Sequence, residues 1–517
     1  MTHRLLVKLD VFSPTPLYEQ LVQEFKQHIL SGWLPAGERL PSIRALSRQL
    51  QLSKSTIQEA LNKLIEEKLV VARQGSGNYV SGDAPSKGAP TVITDSEEHE
   101  FAMQTFVGLF QPLDSTVNWS VEAGRITAAI NEYLFHPWWN LEVEFEFRSV
   151  GESALEFMQG PRWEQTTAHW MRNYVSLPKG YSDARGLPTL RQELSSWLNR
   201  TRALDCSADD LLIISGAQQG RDLAARLLVG QGTEVVVEEP GSITDLLAYE
   251  AQGAKLVHVP QDNDGIDPKH LNAVRGPAIA HLITTANFPT GATMSVDRRQ
   301  KVIEWAQRTN SIIVEDAYGG GYYYDSPIVP TLYELAKKQG LSDRIIYHGS
   351  LSQLLTPGLR LGYALVPSWL QKPYFRAKWL TDRHPSTITQ ELTLTLLRYG
   401  FFEEHHLKLV EAGRRRRKVL LDTISGWPRG LVSAHPVKAG FQQAVWFDEQ
   451  VDDLLVFEKA MSQRIGVIPM TPYFHASQPQ PGLSLNFIRM PEDKIQEGWK
   501  SFCPSYCNAK NPLWKIL

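Results

Sequence analysis

Long apolar runs are missing from this chain of 517 residues, and cysteine nearly so. No stretch approaches the roughly 20 consecutive apolar residues that cross a bilayer as a helix. The opening MTHRLLVKLDVF lacks the apolar core of a secretory leader. Cys206, Cys503 and Cys507 are too few for a disulfide framework, so the expected setting is a reducing cytoplasm. Cys503 and Cys507 have no second ligand pair beside them, and no metal site is predicted. Charge of one sign is scarce as well. The formal net charge is −3, but residues 1–82 carry ten Lys and Arg against seven Asp and Glu, which leaves the remainder at −6. Only that first segment has the sign that suits nucleic acid.

What the chain does have is length: more than one hydrophobic core usually supports, so two or more domains are expected. In PLYEQLVQEFKQHILSG, apolar residues at 17, 21, 25, 29 and 30 lie close to one helical stripe, ended by Gly32 and Pro35. A second short helix begins in LPSIRALSRQL, where Ser42 can cap and Ile43, Leu46 and Leu50 share a face. The turn QLS then leads into KSTIQEALNKLIEEKLV, with Ser53 as N-cap and Ile57, Leu61 and Leu64 turned to the core. Two helices joined this way form a helix-turn-helix, whose second helix points its N-terminal side chains at base edges in the major groove. Lys54, Ser55, Thr56 and Gln58 occupy those positions. VVARQGSGNYVSG follows as a β-hairpin, the wing, with Arg73 and Gln74 within reach of a phosphate or the minor groove.

The stretch LPAGERLPSIRALSRQLQLSKSTIQEALNKLIEEKLVVARQGSGNYV resembles the GntR class of bacterial repressors. That resemblance implies contacts to a double-stranded DNA operator by Arg39, Ser42, Arg44, Lys54, Thr56 and the wing tip from Gly75 to Gly77. After it, SGDAPSKGAPTVITDSEEHE is rich in small, polar and acidic residues and reads as a flexible tether. The expected division is a winged domain over 1–82, a linker with a poorly assigned segment over 83–118, and a large domain over 119–517. Residues 101–147 turn aromatic, with Trp119, Trp138 and Trp139, and are expected to cover an apolar face of the large domain or of a second subunit.

From about residue 180 the apolar runs LLIIS, TEVVVEE, AKLVHV, AHLITT, SIIVEDA and RIIYHGS alternate with helical patterns. This rhythm predicts an α/β fold with a mostly parallel sheet, in which ligands gather at the carboxyl ends of the strands. There, Ser215, Gly216, Ala217 and Gln218 lie between a strand and a helix, where backbone N–H groups could hold a phosphate. Asp316 suits a protonated ring nitrogen and Tyr318 a phenolic oxygen. In GSLSQLLTPGLRLGY, Ser350 and Arg360 could add phosphate contacts, Pro357 and Gly358 turning the guanidinium inward. Arg489, in NFIRMPEDKI, offers a fork for a carboxylate.

Taken in order, GYSDARGLPTLRQEL, SGAQQGRDL, NFPTGATMS, EDAY, GSLSQLLTPGLRLGY and NFIRMPEDKI resemble fold-type I aminotransferases, and with the winged segment the chain resembles the MocR regulators. The resemblance implies a pyridoxal-phosphate-dependent transferase-like domain and a homodimer. It places Asp316 at the pyridine nitrogen, Tyr318 near the ring hydroxyl, Gly216, Ala217, Ser350 and Arg360 at the phosphate, and Arg489 at an amino-acid carboxylate. The lysine that forms the family's imine falls at Gln353, and a carboxamide is neither nucleophilic nor basic. Ser242 stands where an aromatic usually stacks on the ring, and Ala286 and Asn287 where histidine and glutamine are common. Gly319, Gly320 and Gly321 should loosen the loop after Tyr318. His405, His406 and the run Arg414 to Arg417 read as solvated helix faces.

Three functions fit this pattern: a DNA-binding regulator that senses pyridoxal phosphate or an amino-acid-like compound without a covalent bond, a true aminotransferase with a DNA-binding head, and a ligand-blind repressor with a scaffold domain. The retained Asp316, Tyr318, Ser350 and Arg360 favour the first, because buried carboxylates and arginines are costly when unpaired.

Overall fold

Apolar spacing explains the first elements. The computed structural model describes residues 15–30, 34, 36–50, 52–73, 77–82, 142–148, 154–173, 180–426 and 432–502. The chain divides into two units, Met1–Gly124 and Arg125–Leu517. In the first, helices α1 (Leu17–Leu30), α2 (Ile43–Leu50) and α3 (Lys54–Glu66) precede an antiparallel hairpin of β1 (Val70–Arg73) and β2 (Gly77–Val80). Leu21, Phe25, Ile29, Leu46, Ile57, Leu61, Leu64, Val70 and Val80 are buried together. Leu30, expected on the buried stripe, is 44% exposed, and Val22 is buried in its stead. The helical period accounts for this: Val22 lies two turns before Ile29, whereas Leu30 lies two turns after the exposed Gln23. Ser53 caps α3 as expected, its Oγ accepting the Thr56 N–H at 3.0 Å. Such a cap contributes about 1 kcal/mol.

The second unit is built on an eight-stranded sheet. After the short β3 (Phe145–Glu146) come β4 (Leu211–Ile214), β5 (Glu234–Glu239), β6 (Lys255–Asp262), β7 (Gly265–Ile266), β8 (Ile279–Leu282), β9 (Ile312–Asp316), β10 (Ile345–Ser350) and β11 (Gly362–Leu365). Their order across the sheet is β4, β11, β10, β9, β8, β5, β6, β7. From β10 to β6 neighbours run parallel, β11 runs antiparallel to both β4 and β10, and β7 closes a hairpin on β6. The apolar runs read from the sequence therefore are the strands. Alternation assigns their side chains to two layers. Leu211, Ile213, Val236, Ala280 and Ile313 join one buried cluster, and Leu212, Ile214, Val235, Val237 and Val314 the other. A sheet covered on both faces needs continuous apolar strands, which LLII and EVVV supply.

A second sheet was not apparent from the sequence. It joins β12 (Val432–Ser433), β13 (Gln442–Phe447), β16 (Gly482–Asn486) and β15 (Ile468–Pro469), all antiparallel, while β14 (Ile465–Gly466) pairs with β3. Among the described residues no helix is long and apolar enough to cross a membrane. Cys206 is buried and free; Cys503, Cys507, Gly32, Pro35 and the tryptophans at 119, 138 and 139 lie outside the described residues.

The helix Phe401–Ile424 corrects one expectation. Arg416 and Arg417 are buried, not solvated. Arg416 donates to the Ile488 carbonyl and to Glu156, and Arg417 to the Val437 carbonyl and to Asp325. Only Arg414 and Arg415 turn toward the outer Glu411. A run of four spans a full turn, so part of it must face the protein when the helix is docked along its length. His405 is buried against Phe401, ring centroids 5.1 Å apart, and burial pushes it down to about 4. His406 is brought to about 4 by the same cause.

Candidate functional site

Because β4, β8, β9 and β10 run parallel, their carboxyl ends open on one edge, and a cavity of about 260 Å³ lies there. One end is suited to an anion. Gly216 caps the helix Ala217–Leu228 with φ +90°, and a side chain at this position would meet the Arg360 guanidinium at 3.2 Å. Arg360, itself at φ +48°, donates from Nη2 to the Ser215 carbonyl at 3.0 Å. Ser350 Oγ and Ser352 Oγ are 3.0 Å apart beside it. Gly216, Ala217, Gln218, Ser350, Ser352 and Arg360 line the cavity; Ser215, singled out with them in the sequence, is not among the lining residues. First-turn N–H groups, two hydroxyls and a guanidinium are donors of the kind that a phosphate or similar oxyanion requires.

The lining also holds a charge cluster that sequence reasoning missed. Asp316 ends β9 and is 4% exposed. Its Oδ2 accepts from Arg221 Nη1 at 3.0 Å, and the same nitrogen lies 2.6 Å from Asp245 Oδ1. Arg221 Nη2 donates to Gln218 Oε1 at 2.9 Å. Burial raises Asp316 to about 6, opposed by Arg221 and assisted by Asp245. Asp245 is also raised by burial, again against Arg221. Behind them Glu238 accepts the Ile283 N–H at 2.7 Å, and burial lifts it to about 8. The available signal was a charge at Arg221 one turn before the buried Ala224 and Ala225, on the face that must pack. Tyr318 lines the cavity half-buried, edge-on to Phe288 at 6.2 Å.

Gln353 also lines the cavity and is 6% exposed. Its Oε1 accepts the Gly319 N–H at 3.0 Å, while its Nε2 has no hydrogen-bond partner among the described residues. The glycine run is not a loosening element. Gly319 has φ +66°, and a Cβ there would stand 2.4 Å from that of Ala286, so glycine permits a close approach that the Gln353 bond then holds. Among the described residues no lysine lines the cavity. The buried Lys378 pairs with Asp382 at 2.9 Å, and that carboxylate also receives Gln219 Nε2 at 2.9 Å. Ser242 lines the cavity, its hydroxyl 2.8 Å from that of Thr244. Arg489 is not among the lining residues; it follows β16 and acts on the carboxylate of Glu146. A different arginine, Arg202, enters the cavity, donating from Nη1 to the Tyr363 hydroxyl at 2.9 Å.

In the first unit Lys54, Ser55 and Gln58 are exposed on α3 and Thr56 partly so. Ser55 Oγ shares a 2.7 Å hydrogen bond with Ser53, and Gln58 Nε2 donates to Asn62 at 2.9 Å, which fixes their starting orientation. Arg39, Ser42 and Arg44 are exposed ahead of them. At the wing, Arg73 lies 4.5 Å over the Tyr79 ring, and Arg39 forms a bridge to Tyr79. Gly77 is exposed at φ +112° beside the Arg39 guanidinium; Gln74 and Gly75 lie outside the described residues.

Comparison with known proteins agrees with this division. Residues 17–80 match the family model for bacterial regulatory proteins of the gntR family. Residues 165–475 match that for aminotransferase class I and II. Over nearly the whole chain, 96%, it is 25% identical to the probable rhizopine catabolism regulatory protein MocR of Rhizobium meliloti, 95% of which is covered. Over 65% it is 29% identical to aromatic-amino-acid aminotransferase 1 of Thermococcus litoralis, with 82% of that enzyme covered. Among solved structures, LysN, the alpha-aminoadipate aminotransferase of Thermus thermophilus, in complex with N-(5′-phosphopyridoxyl)-L-leucine, matches with TM-score 0.67 and 24% identity over 75% of this chain and 98% of its own.

Proposed function

From the premise that the chain belongs to the aminotransferase class I and II family and carries a gntR-family segment ahead of it, we propose that it is a DNA-binding transcription regulator of the MocR type, working as a homodimer in the cytoplasm. Its aminotransferase-like domain recognises a small phosphate-bearing ligand without a covalent bond. The observation that carries this reading is Gln353, whose Oε1 is engaged by Gly319 and whose Nε2 is a free donor in the cavity wall. An amide offers a ligand a hydrogen bond but no nucleophile, so imine formation and the proton shuttle of transamination are closed at this position.

Pyridoxal phosphate, the group this family typically holds, fits the residues present only in part. The phosphate end fits: Gly216, Ala217, Ser350 and Arg360 would hold it. The aldehyde end does not, for want of an amine, and at the ring-nitrogen end Asp316 already has Arg221. What supports a sensor over a scaffold is a cavity with an oxyanion site and an orphaned buried donor, both of which cost stability unless a guest completes them. Ligand binding is expected to alter the relation of two DNA-binding heads to their half-sites, and hence operator affinity. Fluorescence anisotropy with the full chain tests the regulator role. It should prefer a duplex from its own upstream region to a random duplex, with affinity falling as salt rises. Equal, salt-insensitive binding to both refutes it.

A further inference from the structure

Asp316 is a buried carboxylate that needs a positive partner, and two sources could supply it: the protonated ring of a ligand, or the chain. The Arg221 guanidinium stands 3.0 Å from Asp316 and 2.6 Å from Asp245, and its second terminal nitrogen is spent on Gln218. Arginine does not give up its proton in a protein, so this partner is permanent. The cavity lining holds three guanidinium groups, Arg202, Arg221 and Arg360, against the two carboxylates Asp245 and Asp316. Among the described residues neither Arg202 nor Arg360 has an acidic partner within 4.0 Å. Outside the Asp245–Arg221–Asp316 cluster the charge of the lining is therefore positive, carried by Arg202 and Arg360.

We infer that Arg221 has taken the place of a ligand's ring nitrogen as the partner of Asp316, so that the cavity selects phosphate monoesters with an uncharged body and draws no affinity from a cationic heterocycle. This rests on reading the cavity as a ligand pocket. A pyridinium entering at Asp316 would meet a guanidinium of like charge. It would have to displace one ion pair to make another, and the displaced arginine would remain buried. A phosphate at Arg360 with a neutral body that accepts from Gln353 Nε2 meets no such exchange.

Calorimetry at neutral pH in a phosphate-free buffer compares pyridoxine 5′-phosphate, which carries neither an amine nor an aldehyde and so cannot form an imine with surface lysines, with its analogue carrying CH in place of the ring nitrogen. The wild-type chain is expected to bind both with affinities within threefold. Arg221→Leu, which leaves Asp316 without a cation, is expected to favour the pyridine compound at least tenfold. Should that variant fail to fold, Asp316→Asn serves: the ratio of the two affinities should stay within threefold. A tenfold preference of the wild type for the pyridine compound, lost in Asp316→Asn, overturns the inference but leaves the ligand pocket standing. No binding of either compound overturns the pocket reading and the inference with it.

Discussion

Gln353 Oε1 receives the Gly319 N–H at 3.0 Å, tying the strand-end loop after Asp316 to the loop that carries Ser350 and Arg360. This side chain thus links two segments that line the cavity. Removing the acceptor leaves a buried amide hydrogen unsatisfied. Gln353→Ala is expected to lower stability by about 1–3 kcal/mol in equilibrium urea unfolding. No change in the urea midpoint would mean that the bond contributes nothing.

Glu239 should govern the acid limb of stability. Burial pushes its carboxyl up, but His258 Nδ1, 2.9 Å away, and the hydrogen bonds from the Ala476 and Ser477 N–H groups outweigh this and hold it at about 2, against 4.5 as the ordinary value. A depressed carboxyl contributes stability that is present above pH 4.5 and is lost as pH falls through about 2. The contribution is on the order of 3 kcal/mol. Chemical denaturation across this range should show Glu239→Gln losing markedly less stability on acidification than the wild type.

Glu238, its neighbour in β5, has the opposite sign. With its folded value at about 8, its contribution is complete below pH 4.5 and is lost as pH rises through about 8. Glu238→Gln keeps an acceptor for the Ile283 N–H and removes the charge. Thermal unfolding from pH 5 to pH 9 should decline for the wild type and be flatter for the variant; parallel curves would show that Glu238 is ionised throughout.

On α3, Lys54 and Gln58 should separate affinity from specificity. If Lys54 meets a phosphate, Lys54→Ala weakens binding to every duplex and reduces the salt slope by about 1. If Gln58 reads a base, Gln58→Ala costs about 1–3 kcal/mol on the operator alone. Anisotropy titrations at several salt concentrations distinguish these from a merely solvated face, for which neither variant changes anything.

Much of this molecule was legible in its sequence, and the particular residues show where legibility ended. LLIIS, TEVVVEE and SIIVEDA announced themselves because a strand buried on both faces must be continuously apolar. Gly216, Ala217, Asp316, Ser350 and Arg360 could be singled out because they sit at or near the ends of those strands, and they line one cavity. Arg221 and Asp245 escaped because a buried charge is defined by its partner, and Asp316 lies 95 residues beyond Arg221. Arg416 and Arg417 were misread for a related reason: four consecutive arginines carry no phase, so only docking of the helix decides which of them turn inward. The small sheet of β12, β13, β16 and β15 draws on short runs separated by up to 35 residues, with no local period to reveal it.

On the proposed function the cavity holds its guest reversibly and reports it to DNA. The most direct measurement is the affinity of the full chain for a duplex from its own upstream region, with and without a phosphate monoester that calorimetry shows to bind, followed by removal of the ligand by dialysis. The account predicts a change of at least fivefold that dialysis fully reverses, in keeping with a coupling of about 1 kcal/mol or more. Identical DNA affinity at saturating ligand, or a change that dialysis cannot undo because a lysine has been modified, would contradict it.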